Sequence, residues 1–161
     1  MSQERVQYVT LGVDRDIFGL PVAVVREILD RSEISRLPQA PSYVLGVIDV
    51  RGEAVPVIDL RVKLGLPKIG STDVTRIVVL EVAREPRPLV LGLLVDQVFE
   101  VTELDGGTLE PPPSTGGRWR ADCIAGIGRR GKNFVVVLDL PHLLAEDDAA
   151  LAASDTADRA A

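Results

Sequence analysis

Short apolar runs with turn residues between them recur along the whole chain. The first, Val6–Val13, alternates apolar and polar positions as a half-buried strand does, and Ile17–Leu20 follows after a turn at residues 14–16. Further strand candidates are Arg76–Val82, Leu89–Val95, Gln97–Val101 and Asn133–Leu140, and a helical turn is predicted at Leu140–Leu144. Many short strands joined by turns that contain Gly and Pro predict a mainly β fold, either a barrel or a sandwich.

A β-hairpin is the clearest of these patterns. Within residues 43–61, the apolar runs Val44–Val50 and Ala54–Leu60 flank the polar triplet Arg51-Gly52-Glu53. Val and Ile dominate both runs, which favours strands, and a three-residue connection with a central glycine suits a hairpin loop. The hairpin is expected to hold a permanently charged guanidinium at its tip, which indicates recognition rather than chemistry.

The segment Val22–Asp30 has two interpretations. Its apolar residues lie at helical spacing, and Pro21 is suited to the first turn of a short helix. The same residues also fit a bent strand, and periodicity does not decide between the two.

Four apolar runs end in an aspartate, at Asp49, Asp59, Asp96 and Asp139. One hypothesis is that these carboxylates end strands and accept hydrogen bonds from turn amides. The other is that they converge into a metal site or an acid–base pair. We favour the first, because no metal-ligand spacing and no histidine accompanies them.

Composition and charge narrow the class of protein. Hydrophobic residues make up 46% of the 161 residues but aromatic residues only 4%, so aliphatic side chains have to fill the core. Of the formal net charge of −6, five acidic residues and one arginine at 146–161 supply −4. The rest of the chain is close to neutral and has no basic stripe, which argues against nucleic-acid binding.

Targeting and membrane signals are not evident in the sequence. The opening MSQERVQYVT lacks the apolar core of a signal peptide, and no apolar run approaches the roughly 20 residues that cross a bilayer. A single cysteine, Cys123, suits a reducing compartment. We therefore expect a cytoplasmic protein.

Catalytic groups are sparse. Cys123 and the only histidine, His142, would have to form a nucleophile and base, which requires a positive, partly exposed site for the thiolate. Gly126-Ile127-Gly128 lacks the rest of a dinucleotide fingerprint, and no Cys or His spacing suits a metal. We expect a binding module without catalysis or cofactor. A small hydrolase that uses Cys123 or the aspartates is the opposing hypothesis.

Taken in order, the segments resemble the chemotaxis coupling (adaptor) protein CheW family of bacteria. The resemblance covers about Gln7 to Leu144, and VRGEAVPVIDLR at 50–61 is its most specific part. The other matching segments are YVTLGVDRDIFGLPV, VVREIL, TRIVVLEV, LGLLVDQVFEV, and IAGIG with NFVVVLDLPHLL.

The resemblance implies two five-stranded SH3-like β-barrel subdomains, intertwined within one domain at 5–145, with a short helix and a C-terminal helical turn. The acidic, Ala-rich tail at 146–161 is then expected to be flexible. The implied role is that of a non-catalytic cytoplasmic adaptor, recruited to membrane-receptor arrays without inserting into the membrane. It would couple the cytoplasmic tip of methyl-accepting chemoreceptors to the regulatory domain of the histidine kinase CheA.

Two alternatives stay open within the same family. A chemosensory pathway that controls pili or development instead of flagella could use the same adaptor. The chain could also be a module that binds the kinase only.

The resemblance also implies which residues bind partners. Those positions fall on Val25, Glu27, Gly46, Asp49, Arg51 and Gly52. Val25 is expected to supply apolar area to one face of a helical receptor tip, while Glu27 and Arg51 set its register through charged hydrogen bonds. Gly46 acts either by direct contact or through the local backbone shape.

One departure from the family concerns Asp49, where the family usually has asparagine. An ionised aspartate only accepts hydrogen bonds, whereas asparagine also donates them. We therefore expect the Asp49 side chain either to turn outward or to pair with Arg51.

Overall fold

The computed structural model describes residues 6–30, 33–83, 85–111 and 123–144, and these residues contain two five-stranded β-sheets. The strands are β1 Gln7–Val13, β2 Asp16–Pro21, β3 Val25–Leu29, β4 Val44–Val50, β5 Glu53–Asp59, β6 Arg76–Val82, β7 Leu89–Val95, β8 Gln97–Glu103, β9 Ile124–Arg130 and β10 Asn133–Leu138. The α-helices are α1 Leu60–Lys63 and α2 Leu140–Leu144. The mainly β prediction is confirmed, and so are the predicted bounds of β6, β7 and α2.

Both sheets have the same plan. The first has the strand order β8-β1-β2-β10-β9 and the second β3-β6-β7-β5-β4. In each, the first three strands are antiparallel, the third and fourth are parallel, and the fourth and fifth form an antiparallel hairpin. β8 in the first sheet therefore corresponds to β3 in the second, and the β9–β10 hairpin corresponds to β4–β5. This arrangement fits the two SH3-like subdomains that were expected.

One apolar core joins the two sheets. The largest cluster of buried side chains contains Leu11, Phe18 and Leu20 from the first sheet together with Ile58, Val78, Leu80, Leu91 and Leu93 from the second. Each sheet also has a smaller cluster of its own. Burying one such aliphatic side chain contributes about 1.5–3 kcal/mol, so the shared cluster holds the sheets together as one folding unit.

The segment Val22–Asp30, for which the sequence allowed a helix or a strand, contains a short helical turn followed by a strand. A single 3-10 turn covers Val22–Val24, and the chain then becomes strand β3, which pairs with β6. Beyond Val24 the helical interpretation is wrong. The strand forms there because its backbone pairs with β6, a distant segment that the local spacing does not reveal. Val25 and Glu27 consequently lie on an edge strand.

Helix α1 was not predicted, and Asp59 begins it. The Oδ1 atom of Asp59 accepts hydrogen bonds from the amides of Arg61 at 2.9 Å and Val62 at 3.4 Å, as an N-cap does. Burial raises the pKa of Asp59 above its ordinary value, and the two amide bonds partly oppose that rise.

The capping hypothesis for the four run-ending aspartates is confirmed. Asp49 accepts from the Gly52 amide, Asp59 from Arg61 and Val62, Asp96 from Asp14, and Asp139 from His142. Within the described residues, no group of three or more His, Cys, Asp or Glu side chains is placed to hold a metal ion.

A buried arginine links the second sheet to the first. The Nη1 atom of Arg61 donates to Asp96 Oδ2 at 2.7 Å, Nη2 lies 3.5 Å from Asp14 Oδ1, and Nε donates to the Pro67 carbonyl at 2.8 Å. The same Asp96 oxygen also accepts from the Asp14 amide at 2.7 Å. Arg61 follows the last strand of one hairpin, whereas Asp14 lies in the β1–β2 turn, so the network ties elements of both sheets.

Each sheet continues beyond its last strand through one more backbone pair. Ser35 pairs with Val47 of β4, with both N–O distances at 2.8 Å, and Glu110 pairs with Ile127 of β9. Gly46 makes the first of these pairs possible: it has a φ of +148°, and a Cβ atom there would lie 2.0 Å from the Ser35 carbonyl oxygen.

Two predicted features lie wholly or partly outside the described residues. The acidic tail at 146–161 is one, and the other is the part at 112–118 of the proline-rich connection between Leu104 and Arg118. The sequence interpretation of these stretches stays a prediction, as does the domain boundary at 5–145. In the described parts of the chain, no helix has the length and apolar character that crossing a membrane requires.

We predict that Arg61→Ala lowers the free energy of unfolding by about 2 kcal/mol, because it removes a buried guanidinium whose charged hydrogen bonds hold the partly exposed carboxylates of Asp96 and Asp14. Urea denaturation provides the measurement. Arg26→Ala is the matched control, since the ion pairs of Arg26 with Glu53 and Glu81 are 3.9 and 3.8 Å long and exposed, and it should cost no more than about 1 kcal/mol. Equal losses in the two variants would contradict a structural role for the network.

We also predict that Gly46→Ala lowers the free energy of unfolding by about 2–4 kcal/mol, since the added methyl group has to displace Ser35 from β4. Thermal and urea unfolding measure the loss. Gly70→Ala is the control, because a Cβ atom at Gly70 meets nothing within 4 Å. A Gly46→Ala variant as stable as the Gly70→Ala variant would show that Ser35 moves aside freely.

Candidate functional site

The tip of the β4–β5 hairpin is a two-residue turn rather than the expected three-residue loop. Val50 pairs with Glu53, so only Arg51 and Gly52 lie outside the ladder. Both have left-handed backbone conformations, with φ of 52° and 86°. Two such residues are what a tight hairpin turn of the mirror-image type requires, and glycine meets that requirement without strain. Gly52 therefore shapes the turn that presents Arg51.

Asp49 stabilises this turn with an exposed side chain, so the outward position, the first of the two that were expected, is the one observed. Its Oδ1 atom accepts a hydrogen bond from the Gly52 amide at 2.8 Å, so it bonds within the turn and does not pair with Arg51. An asparagine carbonyl oxygen can accept the same bond. Asparagine, which the resemblance led us to expect at this position, could therefore form the same local bond in the turn.

Arg51 pairs instead with Glu27, the second charged residue expected at the site. The Nη2 atom of Arg51 lies 3.6 Å from Glu27 Oε1, although the two residues are 24 positions apart in the sequence. The Arg51 side chain is 82% exposed and that of Glu27 is 24% exposed. An ion pair this open contributes little to stability, so its main effect is to place an acid and a base side by side on the surface.

Strand β3 supplies the apolar part of the same surface. Val25 is half-buried and packs against the shared core, and Ile28 further along the strand is 42% exposed. Val25 faces Leu80 and Glu27 faces Val79, with a bulge between them at Arg26. The bulge changes the simple alternation of the strand and brings the Glu27 carboxylate toward the hairpin tip. The ion pair brings Glu27 and Arg51 together, and Val25 lies two residues before Glu27 on the same edge strand.

Sequence reasoning did not identify Arg26, which borders this surface. Its guanidinium lies 3.9 Å from Glu53 and 3.8 Å from Glu81 and links β3 to two neighbouring strands. The consecutive charges in VVREIL were a signal that this edge strand is polar. The signal could not be used from the sequence alone, because the segment fitted a helix as well as a strand.

Gly46 lies apart from this exposed surface. It is buried within β4 beside Ser35, so of its two expected roles direct contact is not available and only an effect through the shape of the backbone remains. Of the six expected partner-binding positions, Val25, Glu27 and Arg51 form the surface, Asp49 and Gly52 shape the turn, and Gly46 fixes the strand behind it.

Of the two candidate catalytic residues, Cys123 is buried in the core and His142 is exposed on α2. Cys123 is 3% exposed and belongs to the shared apolar core. His142 is exposed in α2, with its Nδ1 atom 2.9 Å from Asp139 Oδ2. A nucleophilic thiolate requires a positive, accessible site, and the buried position of Cys123 does not provide one.

The chain was compared with known proteins. The family described as the CheW-like domain matches residues 7–148. Among curated relatives, the chemotaxis protein CheW of Klebsiella aerogenes is 29% identical over 142 residues, which cover 88% of this chain and 82% of that protein. Protein FrzA of Myxococcus xanthus is 31% identical over 117 residues, covering 71% of this chain and 69% of FrzA.

A solved structure has the same fold. The crystal structure of the scaffolding protein TtCheW from Thermoanaerobacter tengcongensis superposes with a TM-score of 0.77 at 27% identity, and the alignment covers 89% of this chain and 90% of that one. The family match spans both sheets and the hairpin that carries Arg51. The chain belongs to the CheW-like domain family of chemotaxis adaptor and scaffolding proteins.

Proposed function

We propose that this protein is a non-catalytic cytoplasmic adaptor that couples chemoreceptors to a CheA-type histidine kinase. Membership of the CheW-like family supports the general role. The observation that carries the specific role is the pairing of Glu27 with Arg51 on the strand edge that also holds Val25, because the family resemblance implies receptor binding at these three positions.

The surface suits one face of a helical receptor tip. Val25 and Ile28 offer apolar area, and the adjacent acid and base can select the orientation of a helix that carries the complementary charges. At 3.6 Å and largely exposed, the Glu27–Arg51 pair is weak enough for a partner carboxylate to take over the guanidinium. Arginine has five N–H donors, so it can hold Glu27 and a partner at the same time.

The rest of the molecule suits a scaffold. Asp49 and the left-handed turn residues hold Arg51 on a short, rigid hairpin, which reduces the entropy lost when a partner binds. In this proposal the protein binds the cytoplasmic tip of a methyl-accepting receptor and the regulatory domain of the kinase. It is recruited in this way to receptor arrays at the membrane, without inserting into the membrane or binding nucleic acid.

A second candidate follows from one of the relatives. FrzA is 31% identical to this chain over 71% of this chain's length, a shorter match than the 88% covered by CheW of Klebsiella aerogenes. The same adaptor chemistry could therefore serve a chemosensory pathway that controls pili or development. A module that binds only the kinase is the remaining alternative, and separate pull-downs with receptor tips and with kinase distinguish it.

We predict that Arg51→Glu weakens binding to receptor-tip fragments by about 2 kcal/mol, or roughly thirtyfold in Kd, because it replaces the cation by a second acid beside Glu27. Glu27→Lys should weaken binding in the same way. Co-sedimentation and calorimetry with candidate receptor tips measure both effects, and circular dichroism checks the fold.

The matched control is Arg129→Glu on the other sheet. Arg129 is 55% exposed and pairs with Glu110 at 3.0 Å, so the substitution makes the same change of charge far from the hairpin tip in sequence and on a different sheet. Receptor binding should be unchanged in this variant. If Arg51→Glu and Arg129→Glu bind receptor tips as tightly as the unmodified protein does, the assigned surface is wrong.

A further inference from the structure

The first sheet repeats the acid–base pair of the candidate site. Arg130, at the end of β9, lies with its Nε atom 3.5 Å from Glu100 Oε1 on β8. Because β8 corresponds to β3 and the β9–β10 hairpin corresponds to β4–β5, this pair joins the same two elements as Glu27 and Arg51 do. Arg130 faces Asn133 at the end of its ladder, so it matches Val50, one residue before Arg51. We use the name β8 face for the surface formed by Phe99, Glu100, Val101 and Arg130.

The strand registers support the match between β8 and β3. On β3, Val25 faces Leu80 and a bulge precedes Glu27; on β8, Val98 faces Leu11 and a bulge precedes Val101. Val25 and Val98 are both half-buried against the shared core. The bulge on β8 is fixed by Thr10, whose Oγ1 atom donates to the Glu100 carbonyl at 2.8 Å and lies 3.1 Å from the Glu100 amide nitrogen.

The two surfaces differ in their apolar content. The position that Arg26 occupies on β3 is taken on β8 by Phe99, which is 49% exposed, and Val101 beside it is 52% exposed. Phe99 is one of only three phenylalanines in the chain. An edge strand that presents an aromatic and a branched aliphatic side chain, with no lysine or proline to block association, is a candidate protein interface.

We propose that the β8 face binds a second copy of this chain across a two-fold axis. The patch carries one acid and one base, so it is complementary to itself: a two-fold rotation places Glu100 of one copy against Arg130 of the other, twice per interface. The apolar side chains of Phe99 and Val101 then pack against their own counterparts. This dimer does not use the Glu27–Arg51 surface, which stays available for a receptor tip, and the proposal does not depend on receptor binding.

The experiment measures the mass of the full-length protein in solution over a concentration series, by sedimentation equilibrium. The unmodified protein should shift from monomer to dimer as its concentration rises. Glu100→Arg and Arg130→Glu should each raise the dissociation constant of the dimer by at least about tenfold, because each places like charges together at two points of the interface. Phe99→Ser should weaken the dimer without any change of charge.

The decisive step is to mix the two charge variants. In an equimolar mixture of Glu100→Arg and Arg130→Glu, every contact between unlike copies joins an acid to a base, so a heterodimer should form with the affinity of the unmodified protein. Glu27→Lys and Arg51→Glu are the matched controls, and neither should change the dimer. Circular dichroism of each variant separates loss of association from loss of fold, and recovery in the mixture shows that both variants are folded.

Three results would overturn the proposal. One is an unmodified protein that stays monomeric over the whole series, and another is a mixture of the two variants that does not associate. The third is the formation of oligomers larger than a dimer whose assembly is weakened by Glu27→Lys. That result would indicate head-to-tail pairing of the β8 face with the Glu27–Arg51 surface.

Discussion

The interaction of the buried Arg61 guanidinium with Asp96 and Asp14 is the directional constraint between the two sheets. Arg61 follows β5, Asp96 lies between β7 and β8 where the chain crosses from the second sheet to the first, and Asp14 is in the β1–β2 turn. The apolar core is non-directional and tolerates small shifts of one sheet against the other. Charged hydrogen bonds depend on direction, so this network selects one orientation.

The relative position of the sheets and the rigidity of the hairpins determine the site. Glu27 and Arg51 belong to separate strands of the second sheet, and they meet because the bulge at Arg26 and the two-residue turn at Arg51 bring them together. Gly46 and Ser35 hold β4, from which the turn projects. The surface is therefore set by backbone geometry, which suits a protein whose proposed role is to position two partners.

Local patterns in the sequence predicted a large part of this structure. Short apolar runs located β6 and β7. The aspartates at strand ends proved to be turn caps because that interaction lies within three residues of each carboxylate for Asp49, Asp59 and Asp139. Features that depend on distant residues were not predictable. The strand at Val25–Leu29 needs β6, and the length of the turn at Arg51 depends on a left-handed backbone that arginine rarely adopts.

The central claim is that the protein makes a kinase responsive to receptors. The most direct test reconstitutes receptor tips with a CheA-type kinase and follows autophosphorylation of the kinase with and without this protein. The account predicts that receptors control phosphorylation only when the protein is present, and that the Arg51→Glu variant does not restore this control. Receptor control of the same size in the absence of the protein would contradict the account.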